Sequence, residues 1–316
     1  MSKFEGRVAV VTGAGSGIGR ALAQGLARRG ALLAVSDVDD EGLAETVALL
    51  EGRGIEVYSA TVDVSDWEAV QAHAAAVADH FGSVNQIFNN AGVASARTVL
   101  ESDIAEYERV LNVNLWGVIY GTKAFLPYLI DSGEGHVVNI SSLNGLMAQG
   151  MMSQYCTAKF GVRGFTESLH IEMLEGELPV AVTCVYPGGV NTNIATNTLL
   201  AAKQLGQIVT ADDEARTRRY NEKLLTMPAE TAADIILNGV ARNRARVIVG
   251  REATILDFMV RQFPSRYLAF MGRHSQRLGL SSRPREMATH NTDDSSTHTG
   301  SGSVTNTGTD AEVSIA

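Results

Sequence analysis

Near-continuous apolar segments of four to six residues alternate with helix-periodic segments between residues 7 and 249, and that rhythm leaves few folds open. Strands are read at 7–11, 32–36, 56–61, 86–89, 136–140, 180–185 and 245–249. Helical spacing fills 18–29, 40–53, 66–81, 104–111, 114–129, 153–175 and 229–242. Strands without a polar face are buried on both sides, the condition of a parallel sheet covered by helices. The expected fold class is therefore α/β, a doubly wound parallel sheet in one domain spanning 1–250. A chain of 316 residues, 45% hydrophobic and 19% charged, supplies such a core.

Composition also excludes classes of function. A net charge of −9 argues against a nucleic-acid partner. The two cysteines, Cys156 and Cys184, have no CxxC or metal-ligand spacing, so no metal is expected. They read as buried thiols of a reducing compartment rather than a disulfide. No apolar run approaches ~20 residues, so no membrane span is expected. Residues 1–6 are polar and lead straight into a strand, which leaves no room for a signal peptide. Together these point to a cytoplasmic protein.

The first strand runs into Thr12-Gly13-Ala14-Gly15-Ser16-Gly17-Ile18-Gly19 and at once into a helix. A strand, a glycine turn and a helix start make a phosphate seat: N–H groups and the helix dipole face the anion, and glycines admit close approach. The spacing is T-G-x-x-x-G-x-G, not G-x-G-x-x-G. Asp37 ends the second strand, where a carboxylate accepts hydrogen bonds from an adenosine ribose diol. Ala14, Ser16 and Val38 offer no cation for a 2′-phosphate, which Asp37 would repel, so NAD is expected over NADP. Asp63 after the third strand either caps its turn or touches adenine.

Residues 141–159 read SSLNGLMAQGMMSQYCTAK, with Tyr155 and Lys159 four apart on a helix and so on one face. A nearby ammonium stabilises a phenolate. A free tyrosine has a pKa of about 10, so reaching a neutral working range takes about 3 units, or roughly 4 kcal/mol. One lysine in water does not supply that much. A lysine plus a cationic cofactor ring in a dry cleft does.

In their order and spacing, these motifs resemble the short-chain dehydrogenase/reductase family, compact single-domain branch, over about 3–249. The resemblance implies a cofactor turn at Gly13, Ser16, Gly17, Ile18 and Gly19, and an adenine contact at Asp63 and Val64. It also implies a further cofactor segment in Asn89-Asn90-Ala91-Gly92, and a nicotinamide contact through Pro187, Gly188, Val190 and Thr192. The implied catalytic set is Asn114, Ser142, Tyr155 and Lys159, with Tyr155 and Lys159 also meeting the cofactor. Asn114 is preferred to Asn112 and Ser142 to Ser141 on spacing. In these roles Ser142 donates to the substrate oxygen, Tyr155 exchanges the alcohol proton and Lys159 holds the nicotinamide ribose. Asn114 holds a water that refills the proton. The family also implies a homo-oligomer, a homotetramer.

Met147, Met151 and Met152, with Ile194, Leu199 and Leu200 from a long excursion at 193–227 that reads as a functional lid, suit an apolar, bulky ligand. The expected function is NAD-dependent interconversion of a hydrophobic secondary alcohol and its carbonyl compound. The rivals are an NADPH-dependent carbonyl or 3-oxoacyl reductase and a non-catalytic dinucleotide-binding regulator. Residues 251–288 form an amphipathic helical extension interrupted by Pro264, with seven arginines between 251 and 285. It reads as a cap over the pocket or a subunit contact, with peripheral contact to an anionic membrane as the rival. Residues 289–316, nearly free of large apolar side chains, read as a disordered tail.

Overall fold

The computed structural model describes residues 4–280 apart from Arg53, Leu205 and Gln207. The end of the expected extension, 281–288, and the expected tail at 289–316 lie outside the described residues. Seven parallel strands form one sheet: β1 (Val8–Thr12), β2 (Leu32–Asp37), β3 (Val57–Thr61), β4 (Gln86–Asn89), β5 (Gly135–Ile140), β6 (Val180–Pro187) and β7 (Arg246–Val249). Their order is β3-β2-β1-β4-β5-β6-β7, with Val10 paired to Ala34 on one side and Ile87 on the other. Strand order reverses between β1 and β4, so the loops after them diverge and open a crevice at the carboxyl edge of the sheet.

Helices cover both faces, which is why the strands carry no polar face. On one side α1 (Gly17–Ala27) and α9 (Ala229–Val240) pack Leu22, Leu26, Ile236 and Leu237 against Leu33 and Val35. On the other, α3 (Trp67–Phe81), α5 (Gly117–Asp131) and α6 (Ser153–Glu175) pack Val77, Phe125, Leu129 and Leu169 against Val10 and Ile87. Asp39, Asp66 and Asp103 accept backbone N–H bonds at the starts of α2 (Asp40–Glu51), α3 and α4 (Ile104–Leu111). Ser16, at the start of α1, makes no such bond.

Three segments differ in detail from the pattern read in the sequence. Between α4 and α5 the chain winds as a π turn over Asn112–Trp116, so the helix expected from residue 114 begins at Gly117. The excursion at 193–227 is two helices, α7 (Ile194–Gln204) and α8 (Ala211–Leu224), the second opened by a reciprocal Thr210–Asp213 capping box. The extension is α10 (Arg251–Gln262) and α11 (Arg266–Arg277), divided at Pro264.

Polar groups inside the sheet are tied together. Asn89 Nδ2 donates to Asn139 Oδ1 (2.8 Å) and Thr122 Oγ1 (3.1 Å), and Asn139 Nδ2 donates to Thr166 Oγ1 (3.0 Å). Thr183 donates to the Arg244 carbonyl (2.8 Å), so His136 Nε2 must donate to Thr183 Oγ1 (2.8 Å). Burial pushes the His136 pKa down to about 3. His73 sits between Tyr58 and Phe125, neither ring nitrogen has a hydrogen-bond partner, and burial lowers its pKa to about 4.

Both histidines have folded-state pKa values below the unfolded value of about 6.5. The stability they contribute is complete above that value and is lost as pH falls from 6.5 towards 4 for His73 and towards 3 for His136. Chemical denaturation at pH 7 and pH 5 is expected to show the midpoint falling. His73→Phe should raise the pH 7 midpoint, since an unpartnered buried polar group costs about 1–3 kcal/mol. The same variant should flatten the acid dependence. A lower midpoint at both pH values would contradict this.

Candidate active site

The crevice is built by four segments that lock onto one another. Thr12 Oγ1, at the end of β1, accepts the backbone N–H groups of Asn90 (3.0 Å) and Ala91 (3.1 Å). Asn90 Nδ2 donates back to the carbonyls of Thr12 (3.0 Å) and Gly13 (3.1 Å). Gly13 has φ +67°, and a Cβ there would lie 2.6 Å from Ala91 Cα; a Cβ on Gly19 would lie 1.9 Å from the Gly13 carbonyl oxygen. Only glycine closes this turn. A Cβ on Gly17 would meet Thr192 at 3.1 Å, which brings the segment after β6 against the turn.

Asp37 faces the same turn. Its Oδ2 accepts Gly15 N–H (2.7 Å) and its Oδ1 accepts Asp39 N–H (3.0 Å). Arg20, which sequence reasoning missed, lies beneath: it donates to the carbonyls of Gly15 and Gly42 (3.0 Å for the latter), to Thr46 Oγ1 (2.9 Å) and to Glu45 (2.8 Å). Asp63 Oδ1 accepts from the backbone and hydroxyl of Ser65 (2.9 and 2.7 Å), so one of its oxygens caps the turn. Val64 lines a small cavity with Thr12, Asn89, Ala91, Val113, Gly117 and Val118. Pro187 ends β6, Gly188 N–H donates to the Val249 carbonyl (2.9 Å), and Val190 pairs with Met227.

The second set of residues converges on Tyr155, at the start of α6. Ser142 follows β5 and lies beside the Tyr155 phenol, which its side chain favours in the ionised form. Ser141 Oγ instead donates to the Lys159 carbonyl (2.8 Å), pinning α6 to the sheet edge. Lys159 is buried, its Nζ donates to the Ile140 carbonyl (3.0 Å), and it lies 5.6 Å from the Tyr155 ring centroid. Asn114 is fully buried in the π turn, accepting from Val93 N–H (2.8 Å) and donating to Val93 carbonyl (2.6 Å). A Cβ on Gly92 would lie 2.9 Å from Asn114 Oδ1 and 3.7 Å from Lys159 Nζ, so Asn114 and Lys159 flank Gly92. Asn112 is not part of this contact.

Burial dominates the electrostatics. Tyr155 keeps some solvent access, yet its surroundings are dry enough to push the phenol up to about 12, against the lowering by Ser142. Burial lowers Lys159 to about 8, which still leaves it mostly charged at neutral pH. The sequence-based expectation was an ammonium that lowers the phenol. In the protein alone the dry setting wins, and Lys159 is engaged with Ile140. A separate cavity of about 290 Å3, lined by Thr166, His170, Cys184 and Arg246, lies between α6 and the β6–β7 edge, away from these groups. Cys156 and Cys184 are free, buried thiols.

A family model for short chain dehydrogenases matches residues 7–203. A Mycobacterium tuberculosis protein named as a candidate oxidoreductase, SadH, is 51% identical over 267 residues, covering 84% of this chain and 94% of that one. The chain is a short-chain dehydrogenase/reductase. Levodione reductase of Leifsonia aquatica is 37% identical to this dehydrogenase over 63% of the chain and 74% of the relative. A short-chain dehydrogenase/reductase from Burkholderia phymatum, solved in complex with NAD, superposes with a TM-score of 0.78 at 31% identity, covering 84% of this chain and 97% of that one. The dehydrogenase is thus an oxidoreductase acting on CH–OH groups, with a nicotinamide dinucleotide as cofactor.

The residues fit such a cofactor. The N-terminus of α1 has no side-chain cap and no acidic residue in its first turn, leaving its N–H groups and dipole to an anion. Gly13 and Gly17 hold the turn at positive φ beside it. Two contributors were not read from sequence: Tyr220 of α8, which lies beside the Gln149 side chain, and Tyr267 of α11, whose oxygen accepts Ala148 N–H (3.4 Å). Both come from segments read only as lid and extension.

Proposed function

We propose that this dehydrogenase uses NAD to interconvert a hydrophobic secondary alcohol and its ketone, with Tyr155 as general acid/base. The observation that carries the reading is the convergence of Ser142, Tyr155 and Lys159 on one point beside the dinucleotide crevice. The bound nicotinamide supplies the acceptor for the hydride, taking both electrons of the broken C–H bond. Tyr155, as phenolate, takes the hydroxyl proton, and a carbonyl is left; in reduction Tyr155 returns that proton. Ser142 donates to the substrate oxygen and fixes it beside Tyr155. Lys159 carries positive charge next to the phenol and would hold the nicotinamide ribose. Asn114 keeps the Gly92–Val93 backbone in place beside Lys159, and its π turn is the kind of local irregularity that gathers at working sites.

NAD is favoured over NADP because Asp37 presents a carboxylate beside the turn, while Arg20, the nearby cation, is engaged with Gly15, Gly42, Thr46 and Glu45. Asp37→Asn keeps an acceptor for Gly15 and removes the charge. The NAD-over-NADP ratio of kcat/KM is expected to fall by about tenfold, the equivalent of about 1.4 kcal/mol; an unchanged ratio removes Asp37 from the ribose site.

An apolar substrate is supported by Met151, Met152 and Leu199, which are half-buried, and by Leu200, which is exposed; Met147 is instead buried. The related levodione reductase, by its name, reduces levodione. A panel of apolar secondary alcohols and small polyols, offered with NAD and NADP and followed by reduced-nicotinamide absorbance, tests the reading. Turnover confined to polyols contradicts it. Ile255, Phe258, Leu268 and Phe270 are exposed on α10 and α11, which suits contact between subunits of a cytoplasmic homotetramer. Among the described residues no helix is long and apolar enough to cross a membrane.

A further inference from the structure

The segment from Met147 to Met152, which connects Ser142 to α6, holds one residue in a conformation that needs support. Met151 has φ +66°, the left-handed region, where a side chain other than glycine is disfavoured. Such residues persist where their neighbours over-determine them, and they gather at working sites. Here the neighbours come from distant parts of the chain. Met152 pairs with Arg97, and Tyr107 bonds Ser153 (2.6 Å). Ala148 N–H donates to Tyr267 on α11 (3.4 Å), and Gln149 lies beside Tyr220 on α8.

The extension that brings Tyr267 is itself anchored to the site. Asp257 of α10 pairs with Arg246 of β7 (3.3 Å) and Arg261 (3.0 Å). Ala253 is buried against Gly188, where a Cβ would lie 3.2 Å from Ala253 Cβ and 2.7 Å from Glu252 Oε1. Gly279, just past α11, accepts from Arg219 of α8 (3.0 Å). The extension therefore touches the segment after β6, the Met147–Met152 segment and the α8 lid. A path also leads inward from the lid: Asn144 Nδ2 donates to Gln149 Oε1 (3.5 Å), and Asn144 N–H donates to Ser142 Oγ (3.1 Å).

We propose that Tyr267 and Tyr220 are positioning residues that clamp Ala148 and Gln149 from two sides, making the C-terminal extension a wall of the substrate site. The substrate half of this proposal rests on the dehydrogenase reading of Tyr155 above. Tyr267 fixes the backbone of the wall. Tyr220 couples closure of α8 to Gln149, and through Asn144 to the hydroxyl of Ser142. An apolar alcohol bound between α8 and this wall would be held by both phenols without reacting with either.

The test compares Tyr220→Phe, Tyr267→Phe and the double variant of the full chain with the unchanged protein. Hydrogen exchange at Ala148–Met152 is read without substrate, and KM, kcat and the NAD dissociation constant are read with the best alcohol of the panel. Removing either hydroxyl should speed exchange of these amides and raise KM roughly fivefold, about the worth of one hydrogen bond, with NAD affinity unchanged. Restoring a hydrogen-bonding side chain with Tyr267→His should recover part of the loss. Unchanged exchange in the double variant overturns the clamp, whatever the kinetics. Faster exchange with unchanged KM overturns the substrate wall. The exchange result stands even if no alcohol is turned over, so the clamp and the dehydrogenase reading fail separately.

Discussion

Tyr155→Phe is expected to leave NAD binding within about twofold and to lower turnover by roughly a thousandfold, the scale of a lost general acid/base. The ring stays, so its packing under Lys159 and beside Ser142 is kept. What disappears is one oxygen, the only group in the convergence suited to take and return the substrate proton. Ser142 is tied to Asn144 N–H (3.1 Å), and Lys159 to the Ile140 carbonyl (3.0 Å). Ser142, as an acceptor there, keeps its own O–H to donate to the substrate oxygen, and charged Lys159 has no lone pair to take a proton. Single-turnover kinetics with saturating NAD, beside a direct binding measurement, separate the two effects. Substantial residual turnover would remove Tyr155 from the role.

The second large effect is on the acidity of Tyr155 itself. In the protein alone, burial puts its pKa at about 12. A working base needs a pKa near the operating pH, a difference of about 5 units or roughly 7 kcal/mol. Lys159 is near, but in the protein alone it is not enough to offset burial. In the proposed reaction the remaining stabilisation of the phenolate would come from the positive charge of oxidised NAD held in the same dry cleft, where charges interact more strongly than in water. The pH dependence has a definite sign. Alcohol oxidation requires the phenolate, so its rate rises with pH up to the pKa of Tyr155 in the complex. Carbonyl reduction requires the phenol, so its rate falls through the same point.

Much of the architecture is legible in the sequence because the central strands are buried on both faces. Val8, Val10 and Val11 in β1, and Val137 and Val138 in β5, are all nearly inaccessible, so the strands read as unbroken apolar runs. The glycine turn is legible because its backbone leaves no room for a Cβ, as at Gly19. The spacing of Ser142, Tyr155 and Lys159 is legible because one helical turn separates the last two. Other features leave weaker traces. The π turn at Asn112–Trp116 uses residues that suit an α-helix equally well. α8 has no buried residue, so no apolar stripe marks it; its Thr210–Asp213 box was the one readable sign. Tyr267 meets Ala148 across 119 residues of sequence, and no local pattern can announce such a contact. The dryness around Tyr155 likewise depends on how distant segments fold over it.

The most direct test is a tyrosinate absorbance titration of the protein and its Tyr155→Phe variant, with and without oxidised NAD. The difference between the two proteins isolates Tyr155. Without NAD, this tyrosine should stay protonated past its ordinary value of about 10. With NAD it should ionise several units lower. Ionisation at the same pH with and without NAD would contradict the account.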